Sequence, residues 1–190
     1  MALTESTMVE LGSTAPTFSL PDTVSGLDVS LDGVAGEKGT LVMFICAHCP
    51  FVIHVQEELA RICNDYAGKP VGIVAISAND VCSHPQDGPE HLKQQAQSLG
   101  FKFPYLYDES QEVARSYGAV CTPDFFLFGG DRKLVYRGQL DSSRPSNPEP
   151  VNGQDLRAAL DAVIAGDSVA AEQRPSVGCN IKWRAGNEPG

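Results

Sequence analysis

The segment Thr40-Leu41-Val42-Met43-Phe44-Ile45-Cys46-Ala47-His48-Cys49-Pro50 decides how this sequence is organised. Its first half is an unbroken apolar run, which predicts a buried strand that ends at Cys46. Cys46 and Cys49 form a Cys-x-x-Cys motif, and Pro50 suits the first turn of a helix, where its missing N–H has no partner to lose. The sequence therefore predicts a strand, two thiols and a helix in immediate succession.

The residues after Pro50 have the pattern of an amphipathic helix. A thiol at the N-terminus of such a helix lies at the positive end of the helix dipole, which stabilises its thiolate and lowers its pKa. We therefore predict that Cys46 is an exposed, attacking thiolate and that Cys49 is the buried thiol that resolves the mixed disulfide. Apolar side chains are expected on one face and polar ones on the other: Val52, Val55, Leu59, Ile62 and Tyr66 against His54, Glu57, Glu58 and Arg61.

The composition excludes several classes of protein. The chain has 190 residues, 42% hydrophobic and 20% charged, as in one globular domain with a core over about residues 11–165 and a tail over 166–190. A formal net charge of −10 argues against nucleic-acid partners and anionic membranes, which bind basic surfaces. No apolar run is long enough to span a bilayer, and no secretory signal pattern is evident. Six cysteines are too few for a disulfide scaffold, so we expect a protein of the reducing cytoplasm.

The remaining segments alternate between strand and helix patterns. Residues 71–76 predict a second buried strand, and a helix that ends at Gly100 follows a polar loop. Asp87 lies three residues before Glu90, a capping-box pattern that predicts Asp87 at the start of that helix. Further elements are expected in this order: an extended segment 103–107, a helix 108–118, a hairpin turning at 129–131, and a helix with Leu156, Leu160, Val163 and Ile164 on one face.

Together with a β-hairpin-like lead-in over residues 11–32, this order predicts an α/β fold. We expect a central mixed β-sheet, flanking helices, an N-terminal β-hairpin and an irregular C-terminal tail. Ligands of such sheets bind at the carboxyl ends of the parallel strands, which is where Cys46 lies.

Several motifs resemble the thioredoxin-like superfamily. The segment Cys46–Pro50 and the pair Thr122-Pro123 are similar to its redox motif and its cis-proline. The lead-in resembles the alkyl-hydroperoxide-reductase/thiol-specific-antioxidant branch, and two further segments resemble the bacterial peroxiredoxin-like 1 group: Cys121–Phe126 and Gly178–Trp183. The resemblance covers nearly the whole chain. It implies a thioredoxin-like fold, a cis peptide bond at Pro123 and a redox-active pair of cysteines at 46 and 49.

Two features depart from the family patterns. Thioredoxins have a tryptophan before the first cysteine and a buried acid six residues before it, where this sequence has Ile45 and Thr40. Peroxiredoxins carry Pro-x-x-x-Thr-x-x-Cys, and neither Cys46 nor Cys49 completes that motif. The resemblance therefore favours disulfide chemistry, and a peroxiredoxin-like thiol peroxidase with an antioxidant role stays as an alternative.

Four further residues are candidates for tuning or extending the dithiol. His48 resembles the histidine of protein disulfide isomerase, which would make the pair more oxidising than thioredoxin; alternatively it faces solvent with little effect. Cys121 is a third redox thiol or a small buried hydrophobe. Cys179 is a resolving thiol or a structural cysteine packed next to Trp183. Arg144 stabilises a thiolate, binds an acidic partner or forms a surface salt bridge.

The other two cysteines carry simpler expectations. Cys63 lies on the apolar face of its helix, which predicts a core position. Cys82 is expected to be incidental, although with His84 it could complete a zinc site on the Cys-x-x-Cys motif. Since a second Cys-x-x-Cys is missing from the sequence, we expect no metal.

The sequence therefore predicts a thiol–disulfide oxidoreductase that uses Cys46 and Cys49 to reduce or exchange disulfides. Thr122 and Pro123 would pair with an extended substrate chain by strand addition. Substrates would be protein or small-molecule disulfides, or hydroperoxides in the alternative. We expect a thioredoxin or glutathione-type reductant and no organic cofactor. A homodimer is one assembly that the chain could form. A non-catalytic binding module that kept the fold is the second alternative.

Overall fold

A computed structural model describes residues 3–189 and gives ten strands and five helices within that range. The strands are β1 (Leu3–Glu5), β2 (Ser19–Pro21), β3 (Asp28–Ser30), β4 (Gly39–Phe44), β5 (Val71–Ser77), β6 (Tyr105–Tyr107), β7 (Cys121–Thr122), β8 (Asp124–Gly129), β9 (Leu134–Gly138) and β10 (Val177–Asn180). The helices are α1 (Leu31–Val34), α2 (Pro50–Asp65), α3 (Pro89–Leu99), α4 (Glu112–Tyr117) and α5 (Gln154–Ala165), with a 3₁₀ turn at Pro85–Asp87. None of the helices in this range is both long and apolar enough to cross a membrane.

The central sheet is built around β4. Its strand order is β6-β5-β4-β8-β9, and β4 runs parallel to β5 and antiparallel to β8. A separate antiparallel hairpin consists of β2 and β3, and a third sheet has the order β1-β10-β7. These features confirm the predicted α/β fold with a central mixed sheet, flanking helices and an N-terminal hairpin.

Strand β4 is buried along its whole length because both of its faces are covered. Alternate side chains face two separate cores, one shared with α2, α3 and α5 and the other shared with α4. The strand ends at Phe44, two residues before the predicted end at Cys46. The Ile45 N–H still binds the Ile76 carbonyl at 3.1 Å, but the amides that follow bind a side chain instead of a strand. The chain therefore leaves the sheet just before the first cysteine of the motif.

Three predicted elements differ in the structure. Helix α3 has Gly88 as its N-cap instead of Asp87, because the Asp87 carboxylate binds the Cys-x-x-Cys loop. The helix predicted from Asp108 begins at Glu112, since the Asp108 carboxylate accepts a hydrogen bond from the Ala114 amide at 2.9 Å and the chain turns first. The tail, which was expected to be irregular, contains strand β10.

Glu58 of α2 is buried, although the helix pattern predicted it on the exposed face. Its carboxylate accepts hydrogen bonds from Arg157 of α5 at 2.7 and 3.0 Å and from Arg61 at 3.0 Å. The prediction for Glu58 is therefore wrong, because α5 covers this position of the helix. The ion pairs tie α5 to the helix whose N-terminus carries Cys49.

Candidate active site

Cys46 and Cys49 lie where β4 gives way to α2. Cys49 is the N-cap residue of α2, and the Ile53 N–H binds its carbonyl oxygen at 2.9 Å. Cys46 lies three residues earlier, in the loop that leaves the sheet. Both residues are thiols in this structure, and their side chains interact with each other. The fold thus brings a contacting pair of thiols to the start of a helix.

The Thr122-Pro123 peptide bond is cis, as the family resemblance implies, and its residues lie against both sulfurs. Cys46 Sγ lies 3.5 Å from Thr122 Oγ1, and Cys49 Sγ lies 3.2 Å from the Thr122 carbonyl oxygen. Both cysteines are 0% exposed. The prediction that Cys46 is exposed is therefore wrong, because Thr122 and His48 lie against its sulfur.

A buried carboxylate, Asp87, organises the loop that carries the motif. Its Oδ1 accepts hydrogen bonds from the N–H groups of Ala47 at 2.9 Å and His48 at 3.1 Å. Its Oδ2 lies 2.5 Å from His48 Nδ1 and accepts a hydrogen bond from Asn79 Nδ2 at 2.7 Å. The sequence alone did not reveal this role, because the spacing matched a helix cap. The available signal was position: the loop follows parallel strand β5 and so lies at the same end of the sheet as Cys46.

His48 is held between Asp87 and a second histidine. Its ring stacks on that of His84, with centroids 5.1 Å apart, and its Nδ1 lies 3.9 Å from Cys46 Sγ. His48 therefore does not face solvent as the alternative supposed, whereas the little effect that it attached to this residue is a separate matter of the potential. The more oxidising potential expected from His48 stays a prediction, and the negative charge of Asp87 acts in the opposite direction.

Cys46, His48 and Asp87 also offer three metal-ligating atoms within 4.8 Å of one another. Asp87, however, already uses both of its oxygens as acceptors for four donors in this arrangement. A metal ion would have to replace part of that network. Cys82, considered with His84 as a zinc ligand, is exposed and does not belong to this cluster.

Hydrogen bonding and burial place the proton of the dithiol on Cys46. The hydrogen bond with Cys49, burial and the negative charge of Asp87 all raise the pKa of Cys46. The hydrogen bond from the Cys46 thiol lowers the pKa of Cys49 in spite of its burial, and the Cys179 thiol and the Val52 amide act in the same direction. The predicted order, with the low pKa at Cys46, is reversed in this pair.

Strand β10 of the tail occupies the sheet edge beside the cis-proline. Cys179 is paired with Thr122 in the antiparallel ladder between β10 and β7. A Cβ on Gly178 would lie 2.0 Å from the Thr122 carbonyl oxygen, so a residue with a side chain does not fit at this close approach. Pairing of a substrate chain with Thr122 and Pro123, as predicted, would require β10 to leave this edge.

The two further candidate cysteines both lie near the dithiol. Cys179 is buried in the core that contains Cys46 and Cys49, and its thiol is hydrogen-bonded to Cys49. Trp183 packs on the other core, so the predicted packing of Cys179 next to Trp183 is wrong. Cys121 is also buried, which raises its pKa, and its Sγ lies 3.8 Å from the Pro123 carbonyl oxygen.

The guanidinium of Arg144 is used by its own loop. It donates to the carbonyls of Asp141 and Ser143, both at 2.7 Å, and to Gln139 Oε1 at 2.6 Å. These contacts replace the surface salt bridge that was one expectation for this residue, and they brace the loop after β9. Cys63 is buried, which confirms its predicted core position.

These features define a thioredoxin-like dithiol protein, in which a Cys-x-x-Cys pair at a helix N-terminus faces a cis-proline. Solved structures of a thioredoxin from Neisseria meningitidis and of a disulfide interchange protein from Chlorobium tepidum share the fold. Their TM-scores are 0.60 and 0.63, at 25% and 19% identity, with 80% and 82% of this chain and 90% and 98% of theirs covered. The predicted thioredoxin-like fold is confirmed.

Residues 10–155 match the Redoxin family, and the chain therefore belongs to that family. A conserved protein of Geobacillus kaustophilus, described as uncharacterized, is 54% identical, with 97% of each chain covered and a TM-score of 0.95. The thiol-disulfide oxidoreductase ResA of Geobacillus thermodenitrificans is 31% identical over 69% of this chain and 70% of its own. A Mycobacterium tuberculosis protein with a peroxiredoxin name is 28% identical over 62% of this chain and 69% of its own. The predicted membership of the alkyl-hydroperoxide-reductase/thiol-specific-antioxidant branch is confirmed.

Removing the charge of Asp87 should lower the pKa of Cys46 and make the dithiol more oxidising. Asparagine keeps an oxygen for the two backbone amides but withdraws the charge that disfavours the Cys46 thiolate. We expect Asp87→Asn to raise the reduction potential by roughly 30 mV for each unit by which that pKa falls below the pH of the measurement. Equilibration with glutathione redox buffers measures the potential. Glu90→Gln, the same change at an exposed site, should leave it unaltered. A lower potential in Asp87→Asn would contradict the assigned direction.

Proposed function

We propose that the chain is a thiol–disulfide oxidoreductase in which Cys46 and Cys49 cycle between a dithiol and a disulfide. The observation that carries the proposal is the position of these buried thiols at the start of α2, where Cys46 Sγ lies 3.5 Å from Thr122 Oγ1 and Cys49 Sγ lies 3.2 Å from the carbonyl oxygen of the cis Thr122-Pro123 peptide. Membership of the Redoxin family and the similarity to ResA support it. The reducing cytoplasm belongs to the same proposal, because a thiol donor must restore the dithiol after each cycle.

In the first step, the Cys46 proton moves to the Cys49 sulfur along the hydrogen bond that joins them. The Cys46 thiolate attacks one sulfur of the substrate disulfide, and the other substrate sulfur leaves as a thiolate. Cys49 thereby supplies a proton acceptor in a chain that has Thr40 where thioredoxins carry a buried acid.

In the second step, the departed thiolate takes the proton of Cys49, and the Cys49 thiolate attacks the Cys46 sulfur of the mixed disulfide. The second substrate thiolate leaves, and the Cys46–Cys49 disulfide remains. A reductant of the thioredoxin or glutathione class returns the pair to the dithiol. Each step exchanges one S–S bond for another, so no organic cofactor or metal is needed.

The covered site favours small disulfides over protein chains while β10 is docked. Both sulfurs are buried, and the edge at Thr122, where an extended chain would add as a strand, is filled by β10. A protein substrate would therefore have to displace β10, whereas a small disulfide needs only local movement around Cys46.

Single-turnover chemistry with oxidised glutathione tests the roles of the two cysteines. Reduced wild-type protein should release both halves of the substrate as thiols and end with a Cys46–Cys49 disulfide. Cys49→Ser should stop at a mixed disulfide on Cys46, because the resolving thiol is missing, and Cys46→Ser should lose roughly 100-fold or more of the rate, because the two residues act as a unit. Mass spectrometry of the acid-quenched protein identifies each species.

Cys82→Ser is the matched control, since it removes an exposed thiol and should behave as the wild type. Release of both thiols by the Cys46→Ser/Cys49→Ser variant would contradict the proposal. If wild-type protein forms no disulfide between these cysteines, the non-catalytic binding module becomes the better account.

Gly178→Ala should open the site to protein disulfides. The new Cβ would collide with the Thr122 carbonyl, so β10 must move away from β7. We expect the rate of insulin reduction, relative to that of oxidised glutathione, to rise about tenfold if docking weakens by about 1.4 kcal/mol. In Gly33→Ala, the matched control, the Cβ would meet only Ser30 Oγ at 3.4 Å, and the ratio should not change. An unchanged ratio in Gly178→Ala would show that β10 does not limit access.

A hydroperoxide reductase is the second candidate function. One observation favours it: the Thr122 hydroxyl lies 3.5 Å from Cys46 Sγ, in a site whose strand edge is closed to large substrates. In this reaction Cys46 attacks the peroxide and becomes a sulfenic acid as water or an alcohol leaves, and Cys49 then forms the disulfide with release of water. Consumption of hydroperoxide with a thioredoxin recycling system would support this antioxidant role. Equal consumption by Cys46→Ser would exclude Cys46 from it.

A further inference from the structure

Cys179 lies beside the dithiol but has no part in the exchange steps described above. The residue is 3% exposed and is paired with Thr122, whose carbonyl oxygen lies 3.2 Å from the Cys49 sulfur. Its thiol interacts with that sulfur. Cys49 therefore contacts two thiols, Cys46 on its own loop and Cys179 on β10. A thiol that contacts one sulfur of a disulfide is positioned to exchange with it.

We propose that Cys179 is a third redox thiol and that Cys49 exchanges disulfide partners between Cys46 and Cys179. The oxidised protein then holds either a Cys46–Cys49 or a Cys49–Cys179 disulfide. This inference rests on the proposed function, because the dithiol cycle supplies the first of these disulfides.

Backbone and side-chain contacts on both sides hold Cys179 in place. Before it in the chain, the Ser176 hydroxyl donates to the Pro123 carbonyl at 2.6 Å. After it, the Ile181 N–H donates to the Val120 carbonyl at 2.9 Å. Strand β10 also pairs with β7 on one side and with β1 on the other. Residues 120–123, which include the cis-proline, therefore hold Cys179 in place and also contact the two sulfurs of the dithiol.

The exchange needs no oxidant beyond the disulfide itself. Cys179 loses its proton, and its thiolate attacks the Cys49 sulfur. The Cys49–Cys179 bond forms as the Cys46–Cys49 bond breaks, and the electron pair leaves on Cys46, which takes up a proton. One S–S bond replaces another, so the oxidation state of the protein is unchanged. Burial and the negative charge of Asp87, which both raise the pKa of Cys46, favour its protonated form in the product.

The two disulfides differ in what they join. A Cys49–Cys179 bond links β10 covalently to the N-cap residue of α2 and holds the strand on the edge beside the cis-proline. Cys46 becomes a thiol again while the protein is still oxidised. In this form the edge at Thr122 is closed to a partner strand, whereas the Cys46–Cys49 form leaves β10 free to be displaced.

Cys121 provides an internal comparison. It is as buried as the dithiol and also lies next to the cis-proline, but its sulfur faces the Pro123 carbonyl at 3.8 Å. The two cysteines that share hydrogen bonds with the Cys49 sulfur are Cys46 and Cys179, and Cys121 is not one of them. Exchange at Cys49 should therefore depend on Cys179 and not on Cys121.

The test uses diamide, a small oxidant that adds to one thiol and is displaced by a second, so that a disulfide forms between neighbouring sulfurs. It is applied to reduced, full-length Cys46→Ser/Cys82→Ser protein, which lacks the usual partner and the exposed thiol. After acid quenching and alkylation, peptide mass mapping should find the Cys49–Cys179 disulfide in most chains. Adding Cys121→Ser should preserve this disulfide. Adding Cys179→Ser should abolish every intramolecular disulfide of Cys49.

A Cys49–Cys121 disulfide in the Cys46→Ser/Cys82→Ser protein, or recovery of Cys49 and Cys179 as thiols, would overturn the inference. Circular dichroism confirms that the variants are folded. The Cys179→Ser single variant and the wild type separate this result from the proposed function. If both form the Cys46–Cys49 disulfide, a missing Cys49–Cys179 disulfide removes only the exchange. If neither forms it, the proposed function fails.

Discussion

The ladder between β10 and β7 brings the tail against the Thr122 carbonyl, at an approach where Gly178 has no room for a Cβ. Because Thr122 also contacts both sulfurs of the dithiol, this one pairing connects the tail to the chemistry. It fills the edge at which a thioredoxin-like site would meet an extended chain, and it sets Cys179 against Cys49. The proposed preference for small disulfides and the proposed third thiol both depend on the position of this strand.

Opposing influences act on the two thiols. Donors around Cys49, namely the thiols of Cys46 and Cys179, the Thr122 hydroxyl and the Val52 amide, favour its thiolate, whereas burial and the nearby Thr122 carbonyl favour the thiol. The four donors prevail and lower the pKa of Cys49. At Cys46, burial and the charge of Asp87 add to the hydrogen bond with Cys49, and all three favour the thiol. Thioredoxins have a buried acid where this chain has Thr40. Asp87 does not take over the role of that acid, because it acts on the first cysteine and not on the second.

The strand–dithiol–helix unit and the cis-proline at Pro123 could be predicted because each depends on a few adjacent residues. Examples are the apolar run before Cys46, Pro50 at the start of the helix and the pair Thr122-Pro123. The burial of Cys46 could not, since its sulfur contacts Thr122, 76 residues away. The spacing of Asp87 in the sequence fits a helix cap, which is a local role. It fits equally a long-range role, the binding of the Cys-x-x-Cys loop, which is the role that the structure shows.

The pairing of β10 also lay beyond the sequence pattern. Its four residues, Val177–Asn180, lie in a polar tail without alternation, and its partner β7 has only two residues. The cysteines at 121 and 179 could be named as candidates from their types and approximate positions. Which of them contacts Cys49 is decided by strand register, which pairs Cys179 with Thr122 and Asn180 with Cys121.

The proposed mechanism depends on which sulfur of the dithiol carries the negative charge. A pH titration of thiolate ultraviolet absorbance in a Cys82→Ser background measures this directly. Cys46→Ser should keep a thiolate at neutral pH and lose it only on acidification, because the Cys179 thiol and the Val52 amide still lower the pKa of Cys49. Cys49→Ser should show none until well above pH ~8.5, since burial and Asp87 still raise the pKa of Cys46 without the Cys49 hydrogen bond. The reverse pattern, a thiolate at neutral pH in Cys49→Ser and none in Cys46→Ser, would contradict it.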